Sequence, residues 1–314
     1  MAALRVVFFG TPAFAVPTLE ALQRSHHSVV GVVTQPDRPR GRGQRTMPGP
    51  VKTCALASGL PLLQPPTLKD PAVLQALAAF EADIGVVAAY GKILSEQLIT
   101  TPRLGMVNVH ASLLPRYRGA APVHRAVIAG ETETGVTIMR VVRALDAGPM
   151  LAKAVWPIGA DVTSEEVERD LAAIGAELLV ATLDRLQAGP VQETPQNDAD
   201  ATYAHRLTKD DGQVDWTRPA RELHDLIRGL HPWPHAFTFG GGARIILLRS
   251  RVAEGKSAPP GTVVMAQGDH LRVATGAGLI DLLEVQAEGK RPMTARDFLA
   301  GRALQAGSQL TSAP

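Results

Sequence analysis

Asn108 and His110 stand two residues apart at the end of an apolar run, in the stretch Asn-Val-His-Ala-Ser-Leu-Leu-Pro-Arg-Tyr-Arg-Gly over 108–119. A period of two places both side chains on one face of a strand. Asp146 follows in Leu-Asp-Ala-Gly-Pro-Met, in a turn after another strand candidate. Neighbouring strand ends could bring the three together. The trio suits acyl transfer to an amine. A carboxamide donates to a developing oxyanion, an imidazole gives or takes a proton, and a carboxylate orients the imidazole and favours its charged form. One oxyanion donor contributes about 3 kcal/mol, and a general acid or base about 10²–10⁴-fold in rate. Each residue type alone is a weak signal. The same residues could instead satisfy backbone groups in a turn.

Other reactive-looking features support less. Gly41-Arg42-Gly43 lacks the third glycine of a dinucleotide fingerprint, and no phosphate-binding P-loop is present. His231 and His235 are flanked by Pro232 and Pro234, so they cannot share a regular helix face as metal ligands and read as core or turn histidines. The single cysteine, Cys54, excludes an intramolecular disulfide and a Cys-rich zinc site. It reads as a small buried hydrophobe in a helix over 51–57.

The elements that must position the trio follow an α/β pattern. An apolar run at 4–9, a turn at Gly10, a helical stretch over 12–22 and a second apolar run at 28–33 open a parallel sheet. Further strand candidates are 61–63, 84–88, 106–109 and 135–142. Asp70 and Pro71 predict a helix over 70–79, with Asp70 as N-cap. Thr163-Ser-Glu-Glu166 predicts the capped start of a long amphipathic helix over 164–186. Ligands of open α/β sheets bind outside the carboxyl ends of strands, where Asn108 and His110 fall. After Gly189 the character changes. Residues 1–189 form one expected domain, the polar stretch 190–208 a linker, and 209–314 a second domain. That second domain holds a helix over 220–230 and short β runs at 244–248, 261–264, 271–274 and 279–283, which predict a small antiparallel sheet or barrel.

The chain has 314 residues, is 45% hydrophobic and 20% charged, and carries a net charge of +2. Dominant disorder and a membrane-spanning run of about 18 apolar residues are excluded. Wholesale nucleic-acid binding is not implied, so any such role needs a local patch. Residues 35–52 supply one: Arg38, Arg40, Arg42, Arg45 and Lys52 face a single acid, Asp37. Gly and Pro are expected to keep this stretch out of regular structure. It is long for a βα connection, and it fits either a loop ordering on a polyanion or a solvated insertion. Cysteine usage and the absence of an apolar leader predict a cytoplasmic location. Nothing demands a dimer, and a monomer is expected.

Taken together, these residues resemble the methionyl-tRNA formyltransferase family nearly end to end. The likeness is carried by Phe9-Gly-Thr-Pro-Ala-Phe-Ala, Thr34-Gln-Pro-Asp-Arg-Pro, Gly41-Arg-Gly, Pro50-Val-Lys, Ala89-Tyr-Gly, the whole of 108–122, Gly135-Val-Thr-Ile-Met, Asp215-Trp216, Pro232-Trp-Pro and Pro260-Gly-Thr. The resemblance implies a Rossmann-like formyltransferase domain and a C-terminal small β-barrel similar to an OB fold. It implies transfer of formyl from 10-formyltetrahydrofolate, as co-substrate, to the α-amino group of methionyl initiator tRNA, with no metal. By similarity Asn108, His110 and Asp146 are catalytic. Val87, Tyr90, Ser112, Leu113, Leu114 and Pro115 line the folate site, and Arg38, Arg40, Arg42 and Arg45 meet the tRNA. The turn over 10–14 is placed at the methionyl end. The sequence departs from the family before Asp146, where an acidic residue near Val142 and a glycine at Ala144 are common. Formyl transfer to a small amine, and a non-catalytic RNA-binding module, are the competing functions. The basic stretch and second domain favour tRNA over a small acceptor, and the trio disfavours a mere binder.

Overall fold

The computed structural model describes residues 3–40, 45–256, 258–301 and 304–313, with backbone alone at 39, 40, 45 and 46. The chain divides into two compact units: 1–122 with 133–157 and 168–204, and 123–132 with 158–167 and 205–314.

The first unit is built on a sheet of β1 (Arg5–Gly10), β2 (Ser28–Val33), β5 (Leu62–Leu63), β6 (Ile84–Ala88), β7 (Met106–His110), β9 (Glu133–Arg140) and β10 (Met150–Pro157). Four short strands lie outside it, in two pairs: β3 (Arg38–Arg40) with β4 (Arg45–Met47), and the parallel β8 (Arg118–Gly119) with β11 (Tyr203–Ala204). The order is β10-β9-β7-β6-β1-β2-β5. The five strands from β5 to β7 are parallel, and β9 and β10 are antiparallel additions. Growth of the sheet reverses at β1 and β6, so the crevice above their carboxyl ends is the switch point at which such sheets bind ligands. β6 is buried along nearly all its length, as its unbroken apolar run requires. Under the sheet Phe9, Val33, Leu77, Leu98 and Met106 pack into one core.

The helical expectations hold with their caps. α1 (Val16–Arg24) follows a single 3₁₀ turn at Ala13–Ala15, so the helical stretch begins tighter than expected. α2 (Pro50–Ala57) and α3 (Pro71–Ala78) start on proline, and Asp70 accepts the Ala72 N–H at 2.9 Å. α4 (Glu96–Thr100) and α5 (Pro122–Ile128) are short. α6 (Ser164–Ala188) opens with a reciprocal cap: Thr163 N–H donates to Glu166 at 2.8 Å and Glu166 N–H to Thr163 Oγ1 at 3.4 Å. The Thr163 N–H and the Thr163 hydroxyl, which donates to Glu166 Oε2 at 2.7 Å, hold the Glu166 carboxyl down at about 2.

The second unit carries β12 (Ala236–Gly240), β13 (Ala243–Ala253), β14 (Val263–Gln267), β15 (His270–Ala274), β16 (Leu279–Ala287), β17 (Met293–Thr294) and β18 (Leu310–Thr311), with α7 (Ala220–Gly229) and α8 (Ala295–Ala300). All its strand pairings are antiparallel. The two ends of the sheet meet: Val263 N–H donates to Ser308 O, Gly307 N–H to Val263 O and Leu310 N–H to Gly261 O, each at 2.8 Å. These bonds curl the sheet into a half-barrel, in keeping with the small antiparallel sheet or barrel the sequence predicts.

Candidate active site

Asn108 and His110 lie on β7, as their spacing requires. Asn108 pairs with Val87 on one side and Met139 on the other. Its carboxamide is half-buried and makes no hydrogen bond among the described residues, so it is free to serve a ligand.

His110 is 5% exposed. Its Nε2–H donates to the Tyr117 carbonyl at 3.0 Å, which fixes the ring and its tautomer and leaves Nδ1 as the working nitrogen. Nδ1 lies 3.7 Å from Asp146 Oδ2. This corrects one expectation. The carboxylate does not orient the imidazole by a hydrogen bond; a backbone carbonyl does. Asp146 is close enough to stabilise an imidazolium.

Asp146 also arrives differently from expectation. β9 runs antiparallel to β7, so its last residue, Arg140, lies opposite Val107 rather than His110. A simple meeting of strand ends is therefore not what joins the trio. The connection over 141–149 returns Asp146 to the imidazole with φ +48, a left-handed conformation that Asp tolerates better than most residues. Its Oδ2 accepts the Gly119 N–H at 2.9 Å.

The stretch 112–115 is held from below by β9 and β10. Thr137 Oγ1 donates to Ser112 O at 2.7 Å and accepts the Leu114 N–H at 3.2 Å. Lys153 Nζ donates to Leu114 O, and burial pulls its ammonium below the usual lysine range. Ser112 is fully buried, with its hydroxyl donating to Arg116 O at 2.7 Å. Leu114 packs with Met139 and Met150. Leu113, Pro115 and Val87 are half-buried and keep surface to offer. Tyr90 turns its ring into the core, edge-on to Phe9, and burial pushes its phenol up to about 12. Its carbonyl faces the switch point, accepting from Gln35 Nε2 at 2.7 Å and Thr11 Oγ1 at 3.2 Å.

The basic stretch is more regular than expected. β3 and β4 pair antiparallel, Arg38 with Met47 and Arg40 with Arg45. Extended backbone tolerates Pro39 there because a proline needs no ladder N–H at an edge position. Arg38 is exposed and touches Gln35 Oε1 at 3.3 Å. Arg42 lies outside the described residues, and of Arg40 and Arg45 only the backbone is described. Lys52 is tied to Asp37 at 2.5 Å, a bond that, with one from Gln64, holds the Asp37 carboxyl below its usual range. Cys54 is half-buried rather than buried, and burial raises its thiol.

Sequence reasoning missed the residues that hold the site together. Thr137 reads as an ordinary strand residue, and Lys153 falls in a stretch for which the sequence predicts no element. Gln196 lies in the polar stretch after Gly189, yet its carboxamide donates to Asp146 O at 2.7 Å and Gly148 O at 2.8 Å. Only the gap between β9 and Asp146 could have signalled that an outside anchor was needed.

One further group could gather round a cation: His26, His27 and Asp184. His27 Nδ1 accepts the Leu4 N–H at 3.4 Å, which puts the ring proton on Nε2, where it donates to Asp184 at 3.0 Å. A metal would need that lone pair, so the group is a structural pin. The rings of His231 and His235 meet at a tilt, centroids 5.3 Å apart, with His231 Nε2 3.2 Å from Glu165. Among the described residues no helix is long and apolar enough to cross a membrane.

The formyl transferase family model matches residues 4–183, and the formyl transferase C-terminal domain model matches 206–303. A methionyl-tRNA formyltransferase of Sorangium cellulosum is 47% identical over 98% of this chain and 99% of that protein. One of a Roseiflexus species is 47% identical over 99% and 96%. Among solved structures, an N-formyltransferase from Helicobacter canadensis, in complex with folinic acid and dTDP-3-aminofucose, matches 90% of this chain and 99% of that one, with a TM-score of 0.68 at 16% identity. HypX from Aquifex aeolicus, in complex with tetrahydrofolic acid, matches with a TM-score of 0.67 at 15% identity; 95% of this chain covers about half of that protein, 47%. These distant likenesses speak for the fold alone. On its two domain matches and its near full-length relatives, the chain belongs to the methionyl-tRNA formyltransferase family.

Proposed function

We propose that this protein transfers the formyl group of 10-formyltetrahydrofolate to the α-amino group of methionine esterified to initiator tRNA. Family membership supports the reaction class and the acceptor. The observation that carries the site assignment is the convergence of a free Asn108 carboxamide, an imidazole with Nδ1 unencumbered and a carboxylate 3.7 Å from it.

The amine attacks as the free base, and an α-amino group with a pKa of about 8 supplies a useful neutral fraction near neutrality. A C–N bond forms at the formyl carbon, and the carbonyl oxygen takes the charge. Asn108 donates to that oxygen, and His110, protonated at Nδ1 and balanced by Asp146, stabilises it. Asp146, directly or through water, takes a proton from the amine. As the bond to N10 breaks, the proton taken from the amine passes to that nitrogen, directly or through water, and tetrahydrofolate leaves. Val87, Leu113 and Pro115 offer side-chain surface to the donor, while Ser112, Leu114 and Tyr90 shape the wall through backbone and packing. Arg38, Arg40, Arg42 and Arg45 supply charge for the acceptor end of the tRNA. The first unit suits a catalytic part and the second a tRNA-contacting domain; the division falls at 204 and 205 rather than at 189 and 209, because residues 190–204, expected as a linker, belong to the first unit.

The test is formyl transfer to charged initiator Met-tRNA beside uncharged tRNA and free methionine. Product with the charged tRNA alone is expected. Transfer to small amines but not to Met-tRNA would move the acceptor. His110→Ala and Asp146→Asn should each lose about 10²–10⁴-fold in kcat. Near-normal turnover in both would remove the assignment.

A further inference from the structure

We infer that Gln196 is a positioning residue that holds Asp146 against His110 through the backbone of its turn. The inference rests on the catalytic reading of Asp146. The connection over 141–149 leaves β9 opposite Val107 and has no strand partner where Asp146 sits. Something outside the sheet must fix it. Gln196 does so with both N–H groups, one on Asp146 O and one on Gly148 O. Its Oε1 in turn accepts Arg118 Nε at 3.0 Å and Nη2 at 2.9 Å. Two donors and two lone pairs are all a carboxamide has, so every hydrogen-bonding capacity of Gln196 is used and its orientation is set. Arg118 is itself 3% exposed and anchored to Asp198 at 2.8 Å.

The same strap steadies the other end of Asp146. Tyr203–Ala204 pairs with Arg118–Gly119, and Gly119 is the donor to the Asp146 carboxylate. Gly119 sits at φ +121, where a Cβ would meet Ala204 O at 2.8 Å, so only glycine allows that approach. Thr202 Oγ1 accepts the Tyr117 N–H at 2.9 Å, and Tyr117 O orients His110. Residues 194–204 therefore brace both members of the pair, and Gln196 is the member that touches the turn of Asp146.

Only an amide can donate to two carbonyls while accepting from a guanidinium. Gln196→Glu keeps the acceptor for Arg118 and places a carboxylate oxygen against two carbonyl oxygens. It separates positioning from folding. In formyl transfer, kcat of Gln196→Glu should fall about 10- to 100-fold, the scale of a misplacement of about 1 Å, with KM for both substrates within about twofold. In the Asp146→Asn background the same substitution should cost less than about twofold, because the two residues act through one point. The Gly119 amide, which reports the carboxylate without any turnover, should exchange faster with solvent in Gln196→Glu. Arg118→Lys, which loosens the hold on Oε1, should move kcat and Gly119 exchange in the same direction and serves if Gln196→Glu does not fold. An unchanged kcat, an equal loss in the Asp146→Asn background, or unaltered Gly119 exchange would overturn the inference. If the unaltered protein transfers no formyl group, the functional reading falls instead, and Gly119 exchange still decides whether Gln196 holds the turn.

Discussion

A backbone carbonyl, Tyr117 O, holds the ring of His110, while the carboxylate that balances its charge stands 3.7 Å away. Orientation and charge are thus supplied by different groups, and they should respond differently to substitution. Asn108 is the simplest case, because its carboxamide has no protein partner among the described residues. Asn108→Ala should lower kcat by about 10²–10³, the value of one oxyanion donor. It should leave the denaturation midpoint almost unmoved; an unfolded variant would mean the side chain supports the strand. Tyr90 makes the opposite case. Its hydroxyl is buried with no partner among the described residues, while the ring packs on Phe9. Tyr90→Phe removes only the unpaired group, so stability in urea should rise by about 1–2 kcal/mol. The donor KM should hold; a weakened one would place the hydroxyl in contact with the folate.

Among elements, those with a strong local signature were legible in the sequence. α3 announced itself through Asp70 and Pro71, α6 through Thr163 and Glu166, and β6 through five apolar residues buried almost throughout. β10 was not, because Lys153 breaks its apolar run and its positions from 152 to 157 alternate only between half-buried and exposed. β12 hides behind the Pro232-Trp-Pro stretch, and α8 is six residues long, too short for a periodic signal. The site followed the same rule. Asn108 and His110 were readable by their spacing on one strand. Gln196 was not, since its partners are backbone atoms 48 and 50 residues away in a segment of loop-like composition. The basic stretch shows how far local chemistry reaches: its charge was visible, its pairing of Arg38–Arg40 with Arg45–Met47 was not. If its arginines meet phosphates, Arg42→Ala should weaken use of charged tRNA and leave donor binding intact. The slope of log affinity against log salt should become shallower by about one. Equal loss of tRNA and donor binding would make the stretch a support for the fold.

Over the whole molecule, among the described residues, each of the two units holds one imidazole whose pKa is pulled down, His27 buried and His235 half-buried. In the first unit burial lowers His27, with His26 adding to it and Asp184 opposing. In the second, burial lowers His235, with His231 adding to it and Glu165 opposing. A ring held neutral in the fold but free to charge when unfolded makes stability depend on pH in one direction. Above the ordinary histidine value of 6.5 neither state binds the proton, and these groups cost nothing. As pH falls through that value the unfolded chain takes up protons first, so stability declines until the folded rings titrate. The carboxylates act lower down. Glu166, at about 2 in the fold against 4.5, and Asp83 and Asp211, both lowered, give stability that is present above their ordinary values and lost only in stronger acid. Urea midpoints should therefore fall between about pH 7.5 and about pH 5.5, before any carboxylate contributes. Replacing His27 and His235 together by Asn should lower the midpoint at the upper pH, because His27 loses its bond to Asp184, but should flatten the decline. A slope as steep in the double variant as in the unaltered protein would place the acid sensitivity elsewhere.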